Sequence, residues 1–306
     1  VPVKCLVTGH RGFVGRHMFA RLQDMYGAEN VAGIDIKPGP GSRIPGVDAR
    51  DFFKQATTRF DLVVHCAAVV GGRTRIEGEP LKVATDLAID SDLFQWAMRT
   101  QPSNIVYYSS SAAYPTYLQN GPGAEVRRLE EANIALDASA VGMPDQSYGW
   151  VKVTGELLAN LAQAEGLRVF VFRPFSGYGQ DQDLDYPFPS FIRRALAREN
   201  PFTIWGNGEQ VRDFIHIDDI IDATLTGVAA GIDFPVNLCT GRGTSFNELA
   251  KMVTAPFEEW HPSFEHQMYA PVGVQHRVGD PRLMESFYTP QIDLEEGVRR
   301  ALLQLG

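Results

Sequence analysis

Short apolar runs and helix-period patterns alternate through the first half of the chain. The first run covers residues 3–7, and a helical spacing follows with Val14, Met18, Phe19 and Leu22 on one face. Further runs at 31–34, 60–68, 105–108 and 168–174 predict strands. Between them, Pro80 opens a helical pattern through Val83, Leu87, Phe94 and Met98, and another runs from Ser147 to about residue 165. Strands alternating with helices predict the α/β class, with a doubly wound parallel sheet. The second half changes character. Residues 181–189 form a loop rich in Pro and Asp, 191–198 a short helix, and a strand near 235–238 is expected to rejoin the parallel layer. The pattern divides the chain into a larger unit, 1–174 plus about 214–254, and a smaller discontinuous one, about 175–213 plus 255–306.

At 306 residues, 44% hydrophobic and 21% charged, the chain can bury a large core. A formal net charge of −9 argues against a nucleic-acid partner. No apolar run approaches the roughly 20 residues of a membrane span. The first strand begins at once, so no signal segment is expected. Cys5, Cys66 and Cys239 are few and far apart, and no metal-ligand spacing occurs among them and the seven histidines. Reduced thiols, no metal and a cytoplasmic location are therefore expected.

The candidate chemistry begins at the first turn, where Gly9, Gly12 and Gly15 stand at every third position. Strand, glycine turn and helix start form the layout on which a dinucleotide pyrophosphate sits. One glycine permits the turn, one lets the backbone approach the phosphates, and one lets the helix pack closely on the strand. The next run ends on Asp35, twenty residues after Gly15, where a carboxylate can accept ribose hydroxyls and favours NAD over NADP. The third run ends in Cys66, Ala67 and Ala68, small residues at the sheet edge where open α/β sheets bind cofactors. His65 and Cys66 read as packing residues.

The fourth run ends in Ser109, Ser110 and Ser111, and Tyr148 and Lys152, four apart, share one helix face. A free tyrosine ionises near pH ~10, so a tyrosine base must be lowered by about 3 units, roughly 4 kcal/mol. A neighbouring ammonium and the positive nicotinamide of NAD⁺ both stabilise phenolate. A serine hydroxyl can hold the substrate oxygen beside it.

The turn at Thr8–Gly15, the serine run, and Tyr148, Gly149, Lys152 and Glu156 at their spacing resemble the extended branch of the short-chain dehydrogenase/reductase superfamily. The stretch 204–219, with Trp205, Gly206, Gln210, Arg212, Asp213, Phe214 and His216, is similar almost without gaps to NAD-dependent nucleotide-sugar epimerases and dehydratases. The resemblance covers residue 3 to about 300. It implies a Rossmann-like sheet, a smaller substrate-binding domain, NAD, a nucleotide-diphospho-sugar substrate, and a homodimer through the helices from Leu81 and Tyr148. The catalytic residues it implies are Tyr148, Lys152 and Ser111. Cofactor contacts fall on Gly9, Arg11, Gly12, Phe13, Val14, Gly15, Asp35, Ile36, Asp48, Ala49, Cys66, Ala67, Ala68, Ser109, Tyr148, Lys152 and Arg173. Substrate contacts fall on Gly72, Arg73, Ser110, Ser111, Tyr148, Ser176, Phe191, Trp205, Arg212 and Arg277, with the last two arginines on the diphosphate.

The chain also departs from the family pattern. Dehydratases carry an Asp-Glu pair, and UDP-glucuronate decarboxylases a glutamate, where this chain has Ala112 and Ala113. Ser176 stands where an asparagine is usual, and residues 115–146 are longer than usual, which suggests a loop over the active-site mouth. Asp218 and Asp219 read as caps of a helix from Ile220. The Gly71-Gly72 loop and the Trp205-Gly206 segment are similar to GDP-mannose 3,5-epimerases, but the cysteine of their acid–base pair falls on Ala112 and the lysine near Tyr186. The expected activity is C4 epimerisation through a transient 4-ketone. A 4-ketosugar-nucleotide reductase and a double epimerase are the alternatives. A non-catalytic dinucleotide sensor would not need the intact Tyr148–Lys152 pair.

Overall fold

The computed structural model describes residues 3–37, 44–69, 71, 73–136 and 141–306. The six predicted runs and one short strand that was not predicted, Ile44–Pro45, form a seven-stranded parallel sheet. Its strands are β1 (Cys5–Thr8), β2 (Val31–Asp35), β3 (Ile44–Pro45), β4 (Leu62–His65), β5 (Asn104–Tyr108), β6 (Val169–Pro174) and, later in the chain, β10 (Val236–Leu238). The spatial order is β10-β6-β5-β4-β1-β2-β3. The strand expected near 235–238 does rejoin this layer, with Val236 opposite Phe172.

Alternation along the strands explains the two-sided core. Cys5 and Val7 face a cluster with Met18, Phe19 and Leu22 of α1 (Phe13–Tyr26) and Ile217, Ile220 and Ile221 of α8 (Ile217–Ala230). Leu6 faces the opposite cluster, built with α2 (Ala49–Gln55), α5 (Thr85–Thr100) and α6 (Gln146–Ala164). This is the Rossmann-like α/β arrangement. The helical pattern from Pro80 is broken into α4 (Pro80–Val83) and α5, preceded by α3 (Arg73–Gly78).

The remaining elements build a second layer. Strands β7 (Ser176–Tyr178), β9 (Val211–His216), β11 (Gly243–Ser245) and β13 (His276–Arg277) form a sheet centred on β9, and β8 (Phe202–Trp205) pairs with β12 (Phe264–Gln267). Their core joins Phe188 and Phe191 of α7 (Pro187–Leu196), Phe246 and Leu249 of α9 (Phe246–Thr254), and Leu294 and Val298 of α11 (Leu294–Leu305). A short α10 (Arg282–Glu285) lies against β10. Helix α9, grouped with the larger unit in the sequence reading, thus packs its apolar face in the second cluster.

One local expectation is corrected. Helix α8 begins at Ile217, and its cap is His216, whose Nδ1 accepts the Asp218 N–H at 3.2 Å. Asp219 instead accepts from the Tyr288 hydroxyl (2.6 Å) and the Gln291 and Ile292 N–H groups, tying down the carboxyl-terminal loop. The long stretch after Tyr114 folds into 3₁₀ turns stitched to residues 275–280. His276 N–H donates to Gln119 O, Leu129 N–H to Val278 O, and Asp280 N–H to Leu129 O.

Candidate active site

The glycine turn lies at the carboxyl end of β1. Gly9 has φ +64°, and a Cβ there would stand 2.7 Å from the Ala67 backbone. A Cβ on Gly15 would meet Gly9 O at 2.1 Å, so α1 can sit this close to the strand only through glycine. The Asp35 carboxylate takes the N–H groups of Arg11 (3.1 Å) and Lys37 (3.0 Å), which holds it beside the turn. Ala67 N–H donates to Thr8 Oγ1 at 3.1 Å, fixing the small-residue segment next to Gly9. This narrow backbone cradle with an acid at the end of β2 fits a dinucleotide. Of the other residues expected at it, Phe13 and Val14 open α1 against the core and Ile36 follows Asp35 largely exposed.

Other expected cofactor residues are occupied differently. Asp48 caps α2 and pairs with Arg50 at 2.6 Å, and Ala49 is buried in the core. Ser109 donates its hydroxyl to buried Glu156. Arg173 is 1% exposed, with Nη2 on Glu156 Oε2 (2.7 Å), Nε on Glu156 Oε1 (2.9 Å), and Nη1 shared by the Tyr114 hydroxyl and Glu131 O. Burial opposes the Arg173 charge, but Tyr114 and Glu156 outweigh it and hold its pKa above the ordinary arginine value. Four of its five N–H donors are so engaged and the side chain is buried, so Arg173 reads as a core ion pair.

The Tyr148–Lys152 pair sits where the sequence places it. A Cβ on Gly149 would be 2.4 Å from Ala112 O, so the glycine lets α6 seat directly on the Ser111–Ala113 turn. Ser110 accepts the Ala112 N–H at 3.1 Å and shapes that turn. Lys152 is buried, donates to Tyr108 O at 2.9 Å, and lies 5.7 Å from the Tyr148 ring centroid. Burial works against its charge, yet Tyr148, Asp90, Asp86 and Cys66 together hold the ammonium above the usual lysine range. Burial pushes the Cys66 thiol up to about 12, leaving it an inert packing group.

Arginines gather on the other side. Strands β9 and β13 pair in parallel, with Arg277 opposite Arg212. Arg212 donates to the carbonyls of Val211, Val272 and Val274 at 2.8–2.9 Å. Arg277 Nη2 reaches Asp145 at 2.7 Å and Nε reaches Gln119 at 2.5 Å, while Arg73 Nη1 lies 2.8 Å from the same Asp145. Burial first, then the like charges of Arg277 and Arg73, brings Arg212 down to about 9. Burial alone would raise the Asp145 pKa, but Arg277 and Arg73 hold it below the ordinary aspartate value. Arg73 also pairs with Glu77 at 2.5 Å, and two carboxylates among three guanidinium groups still leave a surplus of one positive charge, which suits a diphosphate.

Trp205 and Ser176 are half-buried on β8 and β7, whereas Phe191 is packed between Phe202 and Phe246 at 5.3 and 6.0 Å. Phe191 is thus a core residue. Gly72 lies outside the described residues. Sequence reasoning missed Asp145 and Gln119, which lie in a stretch without periodicity; the one available signal was their proximity in sequence to Tyr148 and to the serine turn.

A family model described as the NAD dependent epimerase/dehydratase family matches residues 5–234. A Streptomyces protein named dTDP-4-dehydro-6-deoxy-D-allose reductase is 30% identical over 271 residues, covering 82% of this chain and 80% of the relative. The GDP-mannose 3,5-epimerase of Arabidopsis thaliana is 26% identical over 323 residues, covering 97% and 80%. Among solved structures, MoeE5 in complex with UDP-glucose and NAD superposes with a TM-score of 0.79 at 26% identity, covering 99% of this chain and 98% of that one.

Proposed function

We propose that this chain, which belongs to the NAD dependent epimerase/dehydratase family and uses NAD, inverts a nucleotide-diphospho-sugar at C4 through a transient 4-ketone. The carrying observation is Tyr148 beside Lys152 on the Ser111 turn, where Ala112 and Ala113 offer no ionisable group. Bound NAD supplies reversible oxidation. Tyr148 accepts the proton of the C4 hydroxyl and later returns it, and Lys152 stabilises the phenolate. Ser111 makes no hydrogen bond to another described side chain, which leaves its hydroxyl for the C4 oxygen. Arg212 and Arg277 grip the diphosphate, with Arg73, Ser110, Ser176 and Trp205 nearer the sugar and base. In this reading the larger unit, 1–174 with about 214–254 but without α9, carries the cofactor, and about 175–213 with 255–306, joined by α9, the sugar nucleotide.

Epimerisation at C3 or C5 needs a base within reach of a carbon-bound proton. The Ala112 position supplies none, and Tyr186 stands at the start of α7. Incubation in D₂O with UDP-, GDP-, dTDP- and CDP-sugars should therefore give a C4 epimer without ring deuterium by NMR. Deuterium at C3 or C5 would replace this reading with double epimerisation. The 30% identity to a protein named as a 4-keto reductase favours a second reading, net reduction with exchangeable cofactor. Consumption of added reduced cofactor by a 4-ketosugar nucleotide would select it.

The reading includes a cytoplasmic homodimer. No helix among the described residues is long and apolar enough to cross a membrane. On α6, Trp150, Leu157 and Leu161 are 45%, 43% and 54% exposed, and Leu87 and Met98 of neighbouring α5 are 38% exposed. A helical stripe this apolar calls for a partner surface. Light scattering should give twice the chain mass for the wild type and a monomer for Leu157→Glu/Leu161→Glu; a wild-type monomer would reject the dimer.

A further inference from the structure

Two carboxylates with no part in the steps above lie near Lys152. Asp86 and Asp90 stand one turn apart on α5 and are 0% and 2% exposed. Asp90 is fully engaged. Its Oδ2 accepts from the Tyr107 hydroxyl at 2.6 Å, its Oδ1 lies 3.3 Å from His65 Nε2, and His65 Nδ1 lies 2.9 Å from Thr8 Oγ1. Asp86 is only half engaged. Its Oδ1 accepts the Val69 N–H at 2.6 Å, while its buried Oδ2 has no hydrogen-bond partner. A buried carboxylate oxygen without a donor is costly to ionise, and a nearby cation lowers that cost. The cation of this pocket is Lys152: its Nζ lies 5.2 Å from the ring of Tyr107, whose hydroxyl donates to Asp90 one turn from Asp86, and 5.7 Å from the Tyr148 ring.

We propose that Asp86 is a positioning residue for the Tyr148–Lys152 pair, anchoring the ammonium electrostatically and competing with Tyr148 for its field. The inference rests on the reading of Tyr148 as the proton-transferring group. The groups sharing this pocket are Lys152, Tyr148 and Glu156 from α6, Asp90 from α5, His65 and Cys66 from the end of β4, and Tyr107 from β5. Burial pushes the Asp86 carboxyl up to about 6, against the Val69 N–H and Lys152, which favour the anion. The sign follows from charge. An ionised Asp86 shares the lysine field and disfavours phenolate; a protonated Asp86 leaves the full field to Tyr148.

The test is a titration of Tyr148 in NAD-loaded protein, read from phenolate absorbance after subtraction of the Tyr148→Phe protein, in wild type and in Asp86→Asn. Asparagine keeps the acceptor for Val69 and removes only the charge. The Tyr148 midpoint should fall by about half a pH unit or more, with loss of the wild-type inflection near pH ~6. An unchanged or raised midpoint overturns the proposal. Should Asp86→Asn fail to fold, carboxyl-¹³C NMR of aspartate-labelled wild type supplies the readout. Burial raises both Asp86 and Asp213 to about 6, so two aspartates should titrate there and only Asp86 should move higher in Lys152→Met; indifference of both to that substitution overturns the proposal. Neither readout needs a sugar substrate. A shifted midpoint in a protein that inverts no sugar would sink C4 epimerisation and keep the Asp86 role; an unmoved midpoint with turnover intact would do the reverse.

Discussion

Tyr148→Phe is expected to lower kcat by roughly 10²–10⁴-fold, the contribution of a positioned acid–base group. The substitution removes one oxygen and no packing. Tyr148 is half-buried on a helix seated by Gly149 on the Ser111 turn, and the phenyl ring can keep its place beside Lys152. Binding of the sugar nucleotide should change little, because the diphosphate grip proposed for Arg212 and Arg277 lies on strands β9 and β13. Calorimetric affinity and single-turnover rate, measured on the same preparation, separate the two effects. Ordinary turnover by Tyr148→Phe would require another proton acceptor at the C4 oxygen.

The second large effect is on stability. Arg173→Met should destabilise the fold by about 3–5 kcal/mol, because it leaves Glu156 as an unpaired buried charge. The pair is bidentate, both side chains are nearly fully buried, and Ser109 and Tyr114 complete the network. Arg173→Met/Glu156→Leu should regain most of that loss, since replacing both partners removes the orphan charge. Urea midpoints of the single and double variants decide the point. A single variant of wild-type stability but weakened NAD affinity would return Arg173 to the cofactor site.

The features legible in the sequence were those written as local period or spacing. The runs at 3–7, 31–34, 105–108 and 168–174 became sheet strands because continuous apolar segments need cover on both faces. Tyr148 and Lys152 met because four residues is one helical turn. The family stretch through Arg212 and the separate match at Arg277 put both arginines forward, but only pairing of β13 with β9 makes them neighbours. What stayed hidden depends on partners far away along the chain. Periodicity reports which face a residue occupies and says nothing of what meets it there. Arg173 and Ser109 lie at strand ends near the cofactor edge, and only the fold reveals that Glu156 takes both. Asp48 and Phe191 were likewise claimed by a helix cap and a core. Asp145 and Asp86 carry no pattern at all, since a lone carboxylate reads as solvated surface until its neighbours are known.

The stitching of the 115–136 stretch to residues 275–280 has a consequence for the order in which the protein is made. The glycine turn, Asp35, the serine turn and the Tyr148–Lys152 pair all precede residue 174. Arg277 reaches Gln119 across 158 residues and Asp145 across 132. A chain still on the ribosome can therefore assemble the cradle and the tyrosine while Gln119 and Asp145 wait for a strand not yet synthesised. Closing so long a loop adds little entropy beyond closing a shorter one, but it delays the contact. The half of the site proposed for the redox chemistry is thus born first, and the half proposed to admit the charged sugar nucleotide is born last.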